Sequence, residues 1–249
     1  MILELQNISF SFINSKNLLD NINLTLQESK IYALTGTNGS GKTTLFNLIS
    51  GFIKQKSGSI LFKEKDISMK SPYQINELGI GRTFQDLRII TKLTVKENIL
   101  LAMKNNPTDK WFNALLPKSL FNTKLDKLNR VADNLINDYF LFDVKESLTG
   151  EISFGQQKLL TLACCVANGS NLLLLDEPIA GINPEYMRII SKLLLQLIEK
   201  GTTIFFIEHN TDFISEIANA VFFLDQGKIR QYNTIDEMAS DKYVNQAYL

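Results

Sequence analysis

Cysteine is nearly missing from this chain: there are two, Cys164 and Cys165, and they are neighbours. Adjacent thiols are too strained to bridge easily and too few for a disulfide-stapled secreted scaffold or a cysteine zinc site, so a reducing cytoplasm is the expected setting. Net charge is missing too, with 26 Lys plus Arg against 26 Asp plus Glu. No positive field advertises nucleic acid or an anionic membrane surface, and nucleic acid is not expected as a partner. No apolar run approaches the roughly 20 residues of a spanning helix. The opening residues, MILELQNISFSF, lack the basic-then-apolar order of a leader. A role at a membrane would therefore need another subunit as anchor.

What is present is an ordinary globular composition, 45% hydrophobic and 21% charged. At 249 residues the chain can form one large α/β domain, or a core with an inserted subdomain, but would be crowded as two full-size domains. Leu3 to Phe10 and Ile22 to Leu26 alternate apolar and polar residues, which predicts half-buried antiparallel strands in an opening hairpin-like layer. Ile31 to Leu34 is a short apolar strand, followed by a Gly-rich turn and a helix from Thr43 to Ile49 that ends near Gly51. From about 95 to 168 strand signals fade and helical spacings such as Leu125, Leu128, Ala132, Leu135 and Ile136 take over. Strand signals return at Asn171 to Leu175, Thr203 to Ile207 and Val221 to Leu224, with helices over Glu185 to Lys200 and Phe213 to Ala218 between them. Strands alternating with helices predict an α/β fold with a mostly parallel sheet. The expected division is a nucleotide-binding core from about 1–85 and 169–249, with a helical subdomain inserted at about 86–168.

Gly36-Thr37-Asn38-Gly39-Ser40-Gly41-Lys42-Thr43, followed by Thr44, fits the phosphate-binding loop G-x-x-x-x-G-K-[ST] in the required strand-to-helix context. Its glycines let successive backbone N–H groups face phosphates, and the helix N-terminus adds partial positive charge. Lys42 would reach the β- and γ-phosphates of a nucleotide, and Thr43 would place a hydroxyl on Mg²⁺. The loop alone does not separate kinase, GTPase, motor and transporter ATPase. Leu172 to Leu175 forms an apolar strand ending in Asp176 and Glu177. A buried parallel strand delivers its last residues to the ligand crevice, where Asp176 would hold Mg²⁺ and Glu177 would orient or deprotonate the attacking water. That placement suits hydrolysis better than transfer to a substrate.

Ile152-Ser153-Phe154-Gly155-Gln156-Gln157, opening another helix, resembles the signature motif of ABC ATPases, in which Ser153, Gly155 and Gln156 serve the ATP of a second ATPase subunit. The resemblance covers essentially the whole chain. It matches Phe12 to the aromatic that stacks on adenine, and Gln85 to the glutamine that contacts Mg²⁺ and the γ-phosphate. Ala180 to Asn183 matches the D-loop, and His209 the switch histidine. Phe154 stands where many relatives have glycine, Leu159 and Cys164 where they often have arginine, and Asn183 where aspartate is common. The resemblance implies a P-loop NTPase of the ABC ATPase type, working as a homodimer or with a related paralogue. It implies transmembrane permease subunits as partners, on the cytoplasmic face of the cell membrane.

Gly79 to Gln85, Leu93 to Asn98, the insertion Trp111 to Leu116 and the ending Gln246 to Leu249 look like the ATPases of branched-chain amino-acid importers. That branch implies an external solute-binding protein and a permease contact around Gln85 to Asn98. Within the insertion, Trp111, Phe112, Leu115 and Leu116, with Leu120 and Phe121, either cap the helical subdomain or meet the permease or bilayer surface. Urea importers and the lipopolysaccharide-export ATPase are similar at several of these places. A soluble ABC ATPase acting on DNA or ribosomes is a rival reading, but two cassettes, long coiled coils or a basic surface would be expected of it and none is seen. No Asn-Lys-x-Asp motif points to a GTPase, and Glu177 speaks against a kinase.

Overall fold

The computed structural model describes residues 1–12, 17–84, 87–104 and 118–247, with backbone alone at 118–122 and 124. Gln85, the insertion at 111–116 and the last two residues of the chain lie outside this set.

The alternation near the start yields β1 (Leu3–Phe10) and β2 (Leu19–Leu26), paired antiparallel. The layer is larger than a hairpin: β4 (Ser57–Phe62) pairs with the free side of β1 and β5 (Lys65–Asp66) extends it, giving the order β2-β1-β4-β5. The apolar runs form the second sheet. It comprises β3 (Ile31–Gly36), β6 (Ile80–Arg82), β7 (Leu172–Asp176), β8 (Thr203–Ile207), β9 (Ala220–Asp225) and β10 (Lys228–Tyr232), in the order β10-β9-β3-β8-β7-β6. Pairing is parallel from β9 through β6, and only β10 runs antiparallel. The mostly parallel sheet expected from the sequence is present, beside an N-terminal antiparallel layer.

Residues of β3, β7 and β8 are buried throughout because both faces of the sheet are covered. Leu172 and Leu174 turn toward the antiparallel sheet and α1 (Lys42–Ile49), joining Leu5, Ile60 and Phe46. Leu173 and Leu175 turn the other way, toward α5 (Phe154–Ala167) and α6 (Pro184–Glu199). The described residues between β6 and β7 form α3 (Val95–Ala102), α4 (Lys118–Asp138), a 3-10 turn at Phe142–Val144 and α5, with one isolated bridge between Thr94 and Leu148. On α4, Ala132 and Ile136 are buried and Leu128 and Leu135 pack beside them, as their helical spacing requires. The remaining helices are α2 (Pro72–Leu78), α7 (Thr211–Ile217), α8 (Ile235–Ser240) and α9 (Lys242–Ala247).

Gly36 closes β3 in a conformation reserved for glycine, φ 144, beside Leu224 of β9. A Cβ there would stand 2.0 Å from the Leu224 carbonyl oxygen, whereas one on Gly39 would meet nothing within 4 Å. Gly36→Ala is therefore expected to cost about 3 kcal/mol or more through clash and strain. Gly39→Ala should cost only the strain of its φ, about 1 kcal/mol. Urea unfolding midpoints check this, and equal midpoints would contradict the steric account.

Candidate functional site

Parallel register sets the site. Leu34 of β3 pairs with Ile207 of β8, and Ile207 pairs with Asp176 of β7. Three adjacent strands thus end along one edge, and the segments that follow them are the phosphate loop, Asp176-Glu177 and Glu208-His209. This is the crevice outside the carboxyl ends of the strands, where open α/β sheets bind ligands.

The loop after β3 leads into α1 through Gly41, whose φ is 105. Lys42 Nζ donates to the carbonyls of Gly36 and Thr37, each at 2.9 Å, so the ammonium lies folded along the loop's inner wall. Burial lowers the Lys42 pKa, an effect partly offset by Glu177 and Asp176. Thr37 Oγ1 donates to Asp225 at 2.7 Å, anchoring the loop to the end of β9. Asn38, Gly39 and Thr43 are exposed and Thr44 half-buried. Ser40 is buried, and its hydroxyl is without a hydrogen-bond partner. An orphaned buried hydroxyl inside a glycine-rich loop is what an oxygen-rich anion would satisfy.

Asp176 is 4% exposed. Its backbone N–H donates to Thr83 Oγ1 at 3.0 Å, and its carboxylate stands 3.8 Å from the Arg82 guanidinium. Burial raises the Asp176 pKa, with Arg82 opposing, and burial lowers the Arg82 pKa to about 10. Arg82 also donates to Asn47 at 2.8 Å and Ser50 at 2.6 Å on α1, joining the helix of the phosphate loop to the acid strand. The donor chemistry suits a hard cation: a buried carboxylate and an exposed threonine hydroxyl are oxygen ligands. No cluster of three or more His, Cys, Asp or Glu that could hold a metal lies among the described residues. Mg²⁺ held there would draw on Asp176 and Thr43, and this ion usually keeps several waters and shares its shell with phosphate oxygens.

Glu177 follows with φ 48, in the left-handed region. Its N–H donates to the Ile207 carbonyl at 3.1 Å, and its own carbonyl accepts from Lys158 Nζ at 2.8 Å. His209 stands two residues past the end of β8, its N–H donating to Glu208 at 3.1 Å. Lys42, Asp176, Glu177 and His209 thus meet at one end of the sheet.

Other sequence candidates stand elsewhere. Ser153 caps α5: its hydroxyl accepts from the Gln156 N–H at 3.3 Å, while the Gln156 side chain accepts from the Ser153 N–H at 2.9 Å. Gly155 packs so tightly that a Cβ would come 2.6 Å from the Tyr186 ring. Among the described residues no hydrogen bond joins these three to the phosphate loop, and Ser153 faces solvent. Phe12 stands just past β1, 57% exposed, its ring edge-on to Phe10. Gln85 lies outside the described residues. Burial pushes both cysteine thiols up, that of Cys165 to about 12, so neither is poised as a nucleophile. The sequence reading missed Arg82, Lys158 and Glu208 as site neighbours. The signals were slight: Lys158 falls on the inward stripe of α5 with Gly155 and Leu162, and Glu208 ends an apolar strand much as Asp176 does.

The family described as ABC transporter matches residues 19–180. The high-affinity branched-chain amino acid transport ATP-binding protein LivG of Salmonella typhimurium is 32% identical over 233 residues, covering 93% of this chain and 91% of that protein. The probable LivG of Archaeoglobus fulgidus is 30% identical over 250 residues, 100% of this chain and 95% of that one. Among solved structures, a nucleotide-free ATP-binding cassette from an ABC transporter superposes with a TM-score of 0.84 at 29% identity, covering 100% of this chain and 98% of that one. The ADP conformation of another such cassette gives 0.82 at 27%, covering 99% and 98%.

His209 is the chain's only histidine, so one imidazole resonance reports on the site. Desolvation and then the Lys42 charge lower its pKa from the ordinary 6.5, while Glu177 raises it. Because the folded value lies below the unfolded one, the neutral ring's contribution to stability is full above 6.5 and lost as pH falls through the folded value. A proton NMR titration should give a midpoint below 6.5, moved up by Lys42→Ala and down by Glu177→Gln. A wild-type midpoint above 6.5 would refute this electrostatic picture.

Proposed function

Since the chain belongs to the ABC transporter family of ATP-binding cassettes, and is an ATPase of that kind, we propose that its ATP hydrolysis drives import of branched-chain amino acids. The observation that carries the mechanism is the shared strand edge, which gathers Lys42, Asp176, Glu177 and His209 at the mouth of the phosphate loop.

In this reading the N–H groups from Gly36 to Thr44 and the α1 N-terminus hold the phosphates of ATP, and Lys42 swings from its carbonyl partners to the β- and γ-oxygens. Phe12 offers its exposed ring to adenine. Bound Mg²⁺ would neutralise charge developing on the phosphates, with Thr43, Gln85 and Asp176 as its protein neighbours. Glu177 orients the attacking water and takes its proton; His209 steadies the γ-phosphate. Ser153 is exposed at the start of α5, with Gly155 and Gln156 beside it in the first turn, which supports their serving the nucleotide of a second ATPase subunit, either a copy of this chain or a paralogue. About 86–168 is taken as a helical subdomain and the rest as the nucleotide-binding core.

No helix among the described residues is long and apolar enough to cross a membrane, so transmembrane permease subunits would carry the solute. A groove between β6, α3 and α5, lined by Phe84, Arg88, Ile90, Asn98 and Leu101, suits the permease contact. The Arg88 guanidinium lies 3.5 Å from the centre of the Phe84 ring, giving that wall a cationic, aromatic character. The chain would then sit peripherally on the cytoplasmic face, with a solute-binding protein outside. The names of the relatives support the choice of branched-chain amino acids.

Glu177→Gln should lower ATP turnover at least about 100-fold, as loss of a general base does. In cells expressing it at the wild-type level, uptake of labelled leucine should fall to background. Turnover lost with leucine uptake unchanged would keep the ATPase and redirect the substrate; unchanged turnover would refute the role of Glu177.

A further inference from the structure

A residue with a Cβ holds a left-handed backbone only where its surroundings fix it, and Glu177 does so at the point where the proposed chemistry needs its carboxylate aimed. Two buried charged side chains outside the proposed ligand shell supply the fixing contacts. Lys158, 7% exposed, reaches from α5 and donates to the Glu177 carbonyl at 2.8 Å. Glu208, 4% exposed, accepts from the Ile179 N–H at 3.1 Å through Oε1 and from the His209 N–H at 3.1 Å through Oε2. One carboxylate therefore spans the turn after β7 and the turn after β8. One ammonium ties the first of those turns to α5, the helix that Ser153 caps.

We propose that Lys158 and Glu208 are positioning residues for hydrolysis, fixing Glu177 and His209 relative to each other through their backbones. The proposal rests on the reading of Glu177 as the group that activates water. Lys158 bonds the backbone carbonyl of Glu177, which sets the direction of the side chain. Glu208 uses one oxygen for each turn, so neither turn shifts without straining a bond to the other. The Glu177 carbonyl also accepts from the Ala180 N–H at 3.3 Å, so it keeps a partner when the lysine is removed.

The substitutions follow from these bonds. Lys158→Met keeps an unbranched stem and removes the donor; Lys158→Arg keeps charge and donors. Glu208→Gln keeps shape but sets an amide N–H₂ against a backbone N–H, releasing one of the two turns. The experiment measures ATP turnover, MgATP affinity and thermal unfolding of the purified protein for these variants, alone and combined with Glu177→Gln. The expected result is a fall in kcat of about tenfold or more for Lys158→Met and Glu208→Gln, with KM for MgATP within about twofold of wild type. Lys158→Arg should recover much of the loss. Neither Lys158→Met nor Glu208→Gln should reduce the residual turnover of Glu177→Gln further, because a group that acts through Glu177 has nothing left to position.

Wild-type kcat in Lys158→Met and Glu208→Gln beside an inactive Glu177→Gln would overturn the positioning role alone. So would losses that track MgATP affinity or the folded fraction, or that add fully to Glu177→Gln. Full turnover in Glu177→Gln itself would overturn the reading of Glu177 and the positioning role with it.

Discussion

The parallel register that sets Leu34, Ile207 and Asp176 in one row across three strands is the constraint on which the rest depends. A strand pleats with period two, so slipping β7 by one residue would exchange Leu173 and Leu175 for Leu172 and Leu174 between the two cores. The same slip would carry Asp176 out of the row. Core packing on both faces therefore specifies, without further cost, where the acids stand relative to the phosphate loop. The site inherits its precision from apolar side chains that never meet a ligand.

Electrostatics run against that order. Lys42, Arg82 and Lys158 face Asp176, Glu177 and Glu208 in a region largely withdrawn from water. Burial lowers the pKa of each of the three cations and raises those of Asp176 and Glu208, so desolvation is the leading effect and pairing only partly offsets it. Such a cluster is a poor device for stability. It is a good one for presenting fixed charge to an anionic ligand, since groups already stripped of water need little rearrangement when the ligand arrives.

Much of this was legible in the sequence because its strongest signals are local. The phosphate loop, the apolar strand ending in Asp176-Glu177 and the N-terminal alternation each carry their meaning within ten residues or so. The strands that escaped notice lacked such signals. β6 has three residues, and β10 (Lys-Ile-Arg-Gln-Tyr) is too polar to show alternation. β4 opens on Ser57-Gly58-Ser59, which reads as a turn until its pairing with β1 is known. Lys158 and Glu208 escaped for another reason: a single charged residue in a sequence does not reveal that tertiary packing will bury it. The cap of α5 lay between these cases, since Ser153 and Gln156 carry the spacing of a cap as well as that of a ligand-binding motif.

The margins of the two sheets bear on how this protein behaves in a crowded solution. A long, flat, apolar strand left at a sheet's edge is a template on which other chains condense into insoluble aggregates. Here the larger sheet ends in the three residues of β6 on one side and in β10, with Lys228 and Arg230, on the other; the smaller ends at β5 in Lys65-Asp66. Those margins offer little backbone to a newcomer and surround it with charge. Growth of the kind that produces fibres is discouraged at each of these three margins, and β2 (Leu19–Leu26), at the other side of the smaller sheet, is the long strand edge that remains among the described residues.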